Sequence, residues 1–257
     1  MPREISLKLK RYPEARFGNF SDQDGSVRFF TRVNALLEPG FTVLDIGCGR
    51  GAYANDSARY RRNLRILQGK CRHIIGIDVD PTAGDNPFVD EFRRITSNEW
   101  PVATDSIDMA VSDYVLEHVL EPELFFAECA RVLRDDGLLC LRTPNRLGYV
   151  ALISRCIPNR LHAAVLKMIG KNRAAEDVFP TVYRCNTRGT LRRAMRRHGF
   201  DACVTSYEDE PTYLCFSRVA YALGDLCRRF IPPMFRGNLF LFARKLAVST
   251  NDVRRAA

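Results

Sequence analysis

Apolar positions along this chain fall into two alternating rhythms. Val27, Phe30, Val33, Leu36 and Leu37 recur at helical spacing and are closed by Pro39-Gly40, which predicts a leading helix within residues 1–40. Residues 42–46 form a short apolar run that ends in glycines, as a buried strand does. Residues 52–67 predict a helix with Tyr53, Tyr60, Leu64 and Leu67 on its apolar side, and residues 73–77 a second strand ending at Asp78. A third strand follows at 107–112, then a helix at 121–133 that buries Phe125, Cys129 and Val132, then a strand at 138–143.

After Pro144 the alternation stops. Residues 145–186 form a basic, partly helical insert with Pro158 and Pro180, and the pattern resumes as helix 187–198, strand 201–207, helix 211–230 and strand 238–244. The chain thus divides into a leading helical segment (1–40), a core (41–144), an insert (145–186), a second half of the sheet (187–247) and a tail expected to fray (248–257). Strands alternating with helices specify an α/β fold: a doubly wound, mostly parallel, Rossmann-like sheet with right-handed crossovers. In such a sheet the ligand sits at the carboxyl ends of the strands.

Composition narrows the function classes. The 257 residues, 46% apolar, fill one sizeable core without requiring a second domain. Nine scattered cysteines without a C-x-x-C pair read as reduced thiols, so neither a disulfide frame nor a zinc site is expected. The first residues lack the apolar run of a signal peptide, and no stretch approaches the roughly 20 apolar residues that span a bilayer. A cytoplasmic protein is expected, at most peripheral to the inner membrane surface. The net charge of +9 is uneven: between Arg142 and Arg197 the only acids are Glu176 and Asp177. That excess favours an anionic partner, such as an acidic substrate, a membrane surface or nucleic acid, against a plain solvated face. Nucleic acid is the least supported of these, because basic residues interleaved with aromatics and an RNP-like strand are missing.

Candidate chemistry gathers behind the first strand. Gly47-x-Gly49-x-x-Ala52 satisfies the loose dinucleotide pattern. Asp45, two residues before the first glycine, would repel a pyrophosphate over the loop and suits a cationic group instead. Gly47 and Gly49 let a ligand approach the backbone, and Gly51 eases the turn into the next helix. Asp78 stands where a carboxylate accepts hydrogen bonds from two ribose hydroxyls.

Five segments then occur in order over residues 41–144: Val43-Leu44-Asp45-Ile46-Gly47-Cys48-Gly49, Gly76-Ile77-Asp78, Ile107-Asp108-Met109-Ala110-Val111, Val115-Leu116-Glu117-His118-Val119, and Arg131-Val132-Leu133 leading to Gly137-Leu138-Leu139. Together they resemble the core of class I S-adenosylmethionine-dependent methyltransferases of the type 11 kind, similar to the quinone O-methyltransferases. The resemblance implies a seven-stranded sheet with the insert after its fifth strand. It implies S-adenosylmethionine bound by Asp45, Gly47, Cys48, Gly49, Gly51, Asp78 and Val79, with Asn98 near the adenine and Asp113 near the methionine end. Three positions depart from the family. Thr96 or Ser97 stands where an Asp often faces adenine, Arg134-Asp135-Asp136-Gly137 replaces a Lys-Pro-Gly-Gly turn, and Tyr114 replaces an acidic residue. With Tyr114 there, no metal requirement is expected.

An alcohol acceptor must lose a proton, and His118 with its neighbour Glu117 is the candidate for that step, a packing or capping role being the alternative. Acceptor choice is expected from the insert, where Asn145, Arg146 and Tyr149 join Tyr183 and Arg184 as candidate substrate-binding residues. The stretch 213–223 with 230–236 is apolar and basic. It suits contact with a membrane surface holding a lipid-linked acceptor, unless it is a core helix followed by a loop. The expected activity is O-methylation of a small or lipid-linked acceptor, such as a glycan sugar or a quinone-like phenol. A nucleic-acid methyltransferase and a non-catalytic S-adenosylmethionine-binding regulatory protein are the alternatives.

Overall fold

A computed structural model describes residues 3–148, 151 and 181–247. Its strands are β1 (Thr42–Ile46), β2 (His73–Asp78), β3 (Glu91–Arg94), β4 (Ile107–Asp113), β5 (Leu133–Pro144), β6 (Phe200–Tyr207) and β7 (Asn238–Lys245). They form one seven-stranded sheet in the order β3-β2-β1-β4-β5-β7-β6. Strands β1 to β5 pair in parallel, and β7 runs antiparallel between β5 and β6. The strand order reverses between β1 and β4, so their carboxyl ends open the crevice where a ligand binds.

The helices described are α1 (Arg3–Arg11), α2 (Gly25–Leu36), α3 (Arg59–Arg65), α4 (Pro122–Val132), α5 (Arg188–Arg197) and α6 (Arg218–Arg228). One face of the sheet packs Ile46, Ile77, Leu139 and Leu141 against Phe126 and Cys129 of α4 and Leu191 and Met195 of α5. The other face packs Val43, Met109, Val111 and Phe240 against Phe29, Phe30 and Val33 of α2. Asp24 caps α2 by accepting from the Val27 N–H at 3.0 Å, and this fixes where the helix starts over the sheet.

Several elements differ from the pattern-based expectation. Residues 52–67 are not one helix: a 3-10 turn at Ala52–Asn55 ends at Asp56, and α3 begins only at Arg59. Asp56 accepts from the Ala58 N–H and from Arg61, so its side chain competes with the helical ladder there. The expected helix 211–230 likewise splits into a 3-10 turn at Thr212–Leu214 and α6, which starts behind the Ser217 cap. Strand β3 escaped the pattern because Glu91-Phe92-Arg93-Arg94 carries an edge strand's charges instead of an apolar run. Strand β5 begins at Leu133, with a register shift opposite Ile107/Met109 that absorbs residues 134–137. Most of the insert, including Tyr149, and the tail 248–257 lie outside the described residues.

The carboxyl ends of β4 and β5 are joined by a buried ion pair between register partners, Asp113 and Arg142. Arg142 Nε donates to Asp113 Oδ1 at 2.6 Å and Nη2 to Oδ2 at 2.8 Å, while Nη1 donates to Ser26 Oγ on α2 at 2.9 Å. Its guanidinium lies 4.6 Å from the Tyr114 ring centre and 5.4 Å from that of Phe29. With Arg142 only 2% exposed, replacing it by Met leaves the largely covered Asp113 with Arg65 as its remaining ion-pair partner. We expect Arg142→Met to lower the unfolding free energy in urea by about 3–5 kcal/mol, and adding Asp113→Leu to recover most of it. A single variant within about 1 kcal/mol of the parent would contradict this account.

Candidate active site

The first glycine loop follows β1 and is pinned from below. The Gly47 and Cys48 N–H groups both donate to the Ile77 carbonyl, at 2.8 and 3.2 Å, and buried Asn86 donates to the Cys48 carbonyl at 2.9 Å. Gly47 has φ +68°, and a Cβ there would lie 2.3 Å from Val115 Cγ2, so no larger residue fits. Gly49 has φ +52° and open space where a side chain would point. A Cβ at that position would fill part of the cavity the loop borders.

That cavity, about 920 Å³, is lined by Asp45, Gly47, Cys48, Gly49, Gly51 and Asp113 together with Tyr53, Phe88, Phe30 and Arg65. Among the residues expected to bind cofactor, these three glycines, two acids and Cys48 are thus brought together. Asp78 joins them through the loop: its Oδ2 accepts from the Gly49 N–H at 3.0 Å and its Oδ1 from the Asp80 N–H at 2.9 Å. Each oxygen keeps a second lone pair for a hydroxyl donor. Val79 follows it and is exposed. Asn98 is exposed in the turn before Trp100 and does not line the cavity.

The charges in the cavity are unequal. Burial, aided by the Asp113 and Asp78 carboxylates, pushes Asp45 up to about 7, with Arg65 opposing the shift. At Asp113 burial works in the same direction, but the charge and hydrogen bonds of Arg142, with Arg65 behind it, hold the carboxyl below its ordinary range. Asp45, unlike Asp113, makes no ion pair among the described residues, and Arg65 offsets its burial only in part. A cavity with an acid outside any ion pair, a glycine loop and an Asp at the end of the next strand fits the ammonium, sulfonium and ribose of S-adenosylmethionine. It does not fit a pyrophosphate.

Glu117 and His118 stand in a short 3-10 turn after β4. Glu117 is buried: its Oε2 accepts from Thr143 Oγ1 at 3.0 Å, and Thr143 Oγ1 accepts from Asn186 Nδ2 at 2.6 Å. Its carbonyl accepts from the Val182 and Tyr183 N–H groups at 2.8 and 3.2 Å, which fixes the chain returning from the insert over this turn. His118 is half-buried, with Nε2 3.8 Å from Glu117 Oε1. Tyr183 is half-buried with φ +49°, and Arg146 and Arg184 are exposed. Asn145 is buried and spends its amide on the Met234 and Arg236 carbonyls and the Leu147 N–H.

Sequence reasoning passed over Arg65, Tyr53, Phe88, Asn86 and Arg142. Arg65 sits in an arginine-rich stretch that looks solvated, and nothing local marks Arg142 as buried. Among the described residues no group of three or more His, Cys, Asp or Glu is arranged to hold a metal ion.

The methyltransferase-domain family pattern matches residues 15–205. A probable S-adenosylmethionine-dependent methyltransferase of Mycobacterium tuberculosis is 36% identical over 112 residues, 42% of this chain and 37% of that protein. A ubiquinone biosynthesis O-methyltransferase of Rhizobium etli is 34% identical over 148 residues, 57% of this chain and 58% of that protein. The matched segments thus span less than two thirds of either relative. Among solved structures, the [4+2]-cyclase SpnF superposes with a TM-score of 0.55 at 19% identity, covering 90% of this chain and 84% of that one, which is a likeness of fold. With most of its length matched by the family pattern, this chain belongs to the methyltransferase-domain family.

Proposed function

We propose that the chain is an S-adenosylmethionine-dependent methyltransferase that methylates an oxygen of a small or lipid-linked acceptor. The carrying observation is the cavity at the carboxyl ends of β1 and β4, where Asp45 is in no ion pair beside a glycine loop that admits a ligand to the backbone. When bound, S-adenosylmethionine supplies an electrophilic methyl group on a sulfonium. The protein's own residues hold the ligand and align the acceptor: Asp45 receives a cationic group, and Asp78 accepts hydroxyl hydrogen bonds while anchoring Gly49. His118 takes the acceptor's hydroxyl proton, and the Glu117 carboxylate behind it steadies the imidazolium that results. Support for an oxygen acceptor comes from the O-methyltransferase relative. Arg146 and Arg184, exposed where the insert leaves and returns, suit an anionic group on the acceptor.

A lipid-linked acceptor is supported by α6. Val219, Leu223, Leu226 and Phe230 recur at helical spacing on its solvent side, and Phe216, Met234 and Phe235 extend this exposed apolar surface. Arg218 and Arg229 flank the stripe, while Asp225, the only acid on the helix, is buried against Tyr12, Arg11 and Arg228. An apolar stripe edged by arginines complements an anionic phospholipid surface. Among the described residues no helix is long and apolar enough to cross a membrane.

Three outcomes are expected. In thermal melts S-adenosylmethionine raises Tm and NAD does not; equal shifts with both would remove the donor assignment. Binding of S-adenosylmethionine tightens as pH rises from 5.5 through 7, by up to about tenfold per unit below the Asp45 pKa. The sign follows from the raised pKa: below it the site holds a neutral acid, above it the carboxylate that a cation needs. Asp45→Asn, read by calorimetry, should bind more weakly and lose this slope. Finally, the protein should co-sediment with phosphatidylglycerol-containing vesicles at low salt, and Leu223→Glu with Phe230→Glu should abolish it. Absence of co-sedimentation at low salt, or self-association through α6 in light scattering, would dismiss the membrane contact.

A further inference from the structure

Five non-glycine residues described in the structure have positive φ. Asn19, Asp105 and Asp136 are of the kinds that tolerate the left-handed region, because their short polar side chains bond locally. The other two are tyrosines, Tyr114 at +60° and Tyr183 at +49°, and bulky residues keep such a conformation only where their surroundings impose it. They come from different parts of the chain, the end of β4 and the return from the insert, yet both adjoin the Glu117-His118 turn. The Tyr114 N–H donates to the Arg142 carbonyl at 2.9 Å, and the Tyr183 N–H to the Glu117 carbonyl at 3.2 Å. Burial pushes both phenol groups up, and Tyr213, from the 3-10 turn before α6, adds to the rise in each, so a third tyrosine stands near both.

One face of the Tyr114 ring is already taken. The Arg142 guanidinium lies 4.6 Å from its centre and the hydroxyl is bonded to Asn238, while the residue remains 36% exposed, so its exposed area lies away from the guanidinium. A cation on one face draws the π density of the ring towards it and leaves the opposite face less negative. Such a face suits the electron-rich cloud of a planar ring. It suits poorly the C–H edges of a saturated sugar ring, which seek a negative face.

Building on the proposed methyl transfer, we infer that Tyr114 and Tyr183 are specificity-determining residues of the acceptor site, stacking a planar, electron-rich ring beside His118 in preference to a saturated one. Tyr114 is a position at which the chain departs from the quinone methyltransferase pattern, so this selectivity belongs to the chain's own residues.

The test is a ligand-observed NMR titration of the full chain with two probes, 4-hydroxybenzoate and trans-4-hydroxycyclohexanecarboxylate, which share a hydroxyl and a carboxylate and differ in the planarity of the ring. The unmodified protein should favour the planar probe by about fivefold or more. Tyr114→Phe, which keeps the ring, should retain the preference. Tyr114→Leu should erase it by weakening the planar probe alone, and Tyr183→Leu should reduce it. Equal affinities for the unmodified protein, or binding of neither probe up to about 10 mM, overturn the inference without reliance on any variant's folding. Equal weakening of both probes by Tyr114→Leu also overturns it, by showing that the ring serves only the frame. A Tm raised by S-adenosylmethionine together with equal probe affinities removes the tyrosine clamp and leaves the donor assignment standing. A planar preference without that rise in Tm removes the donor assignment, and the acceptor role of the clamp with it.

Discussion

The site depends on the buried pair between Asp113 and Arg142. Two charges taken out of water are costly unless each is fully paired, and here the guanidinium is satisfied by two carboxylate bonds, a serine hydroxyl from α2 and aromatic faces from Tyr114 and Phe29. Arg142 lies on β5, and those partners come from α2 and from the end of β4 with the residue that follows it. The ends of two strands and the helix over them are thereby held in one arrangement. Tyr114, with φ +60° and its hydroxyl bonded to Asn238, carries the constraint on to β7. The Glu117-His118 turn starts two residues later, so its position also follows from the pair.

Neutralising Asp113 inside the fold also sets the character of the cavity. The acid that would otherwise compete for a cationic ligand is already committed, and Asp45 lines the same cavity without an ion pair. Burial likewise raises Glu208 and Asp209 to about 7 on the far side of Arg142, where they bond the Gly237 and Gly25 N–H groups and Asn238. These groups tie the chain after β6 to the start of α2 and to β7. Glu208 and Asp209 thus serve the frame, while Asp45 lines the cavity.

A shared fold does not fix the reaction, as the cyclase among the structural neighbours illustrates. The reading of this site rests instead on local chemistry, and most of that was legible early. Asp45, Gly47, Gly49 and Asp78 are short-range features, because a loop between a buried strand and a helix shows its glycines and acids directly in the chain. Boundaries were less legible where side chains compete with the backbone, as Asp56 does at the break before α3. They were also hidden where an edge strand carries charges, as β3 does.

The sequence by itself determined the alternation of strands and helices, the loop that carries the cofactor motif and the family to which the chain belongs. These are properties of spacing along the backbone. Only the tertiary structure decided which arginines matter. Arg142 and Arg65 look like members of a basic surplus until strand register and the packing of α2 and α3 bring them against Asp113, 29 and 48 residues away in the chain. It also decided that Asn145 is buried with its amide on the Met234 and Arg236 carbonyls, that Glu117 is buried beside His118, and that the apolar stripe of α6 faces outward. Each of these is set by which surfaces meet, and no local pattern encodes that.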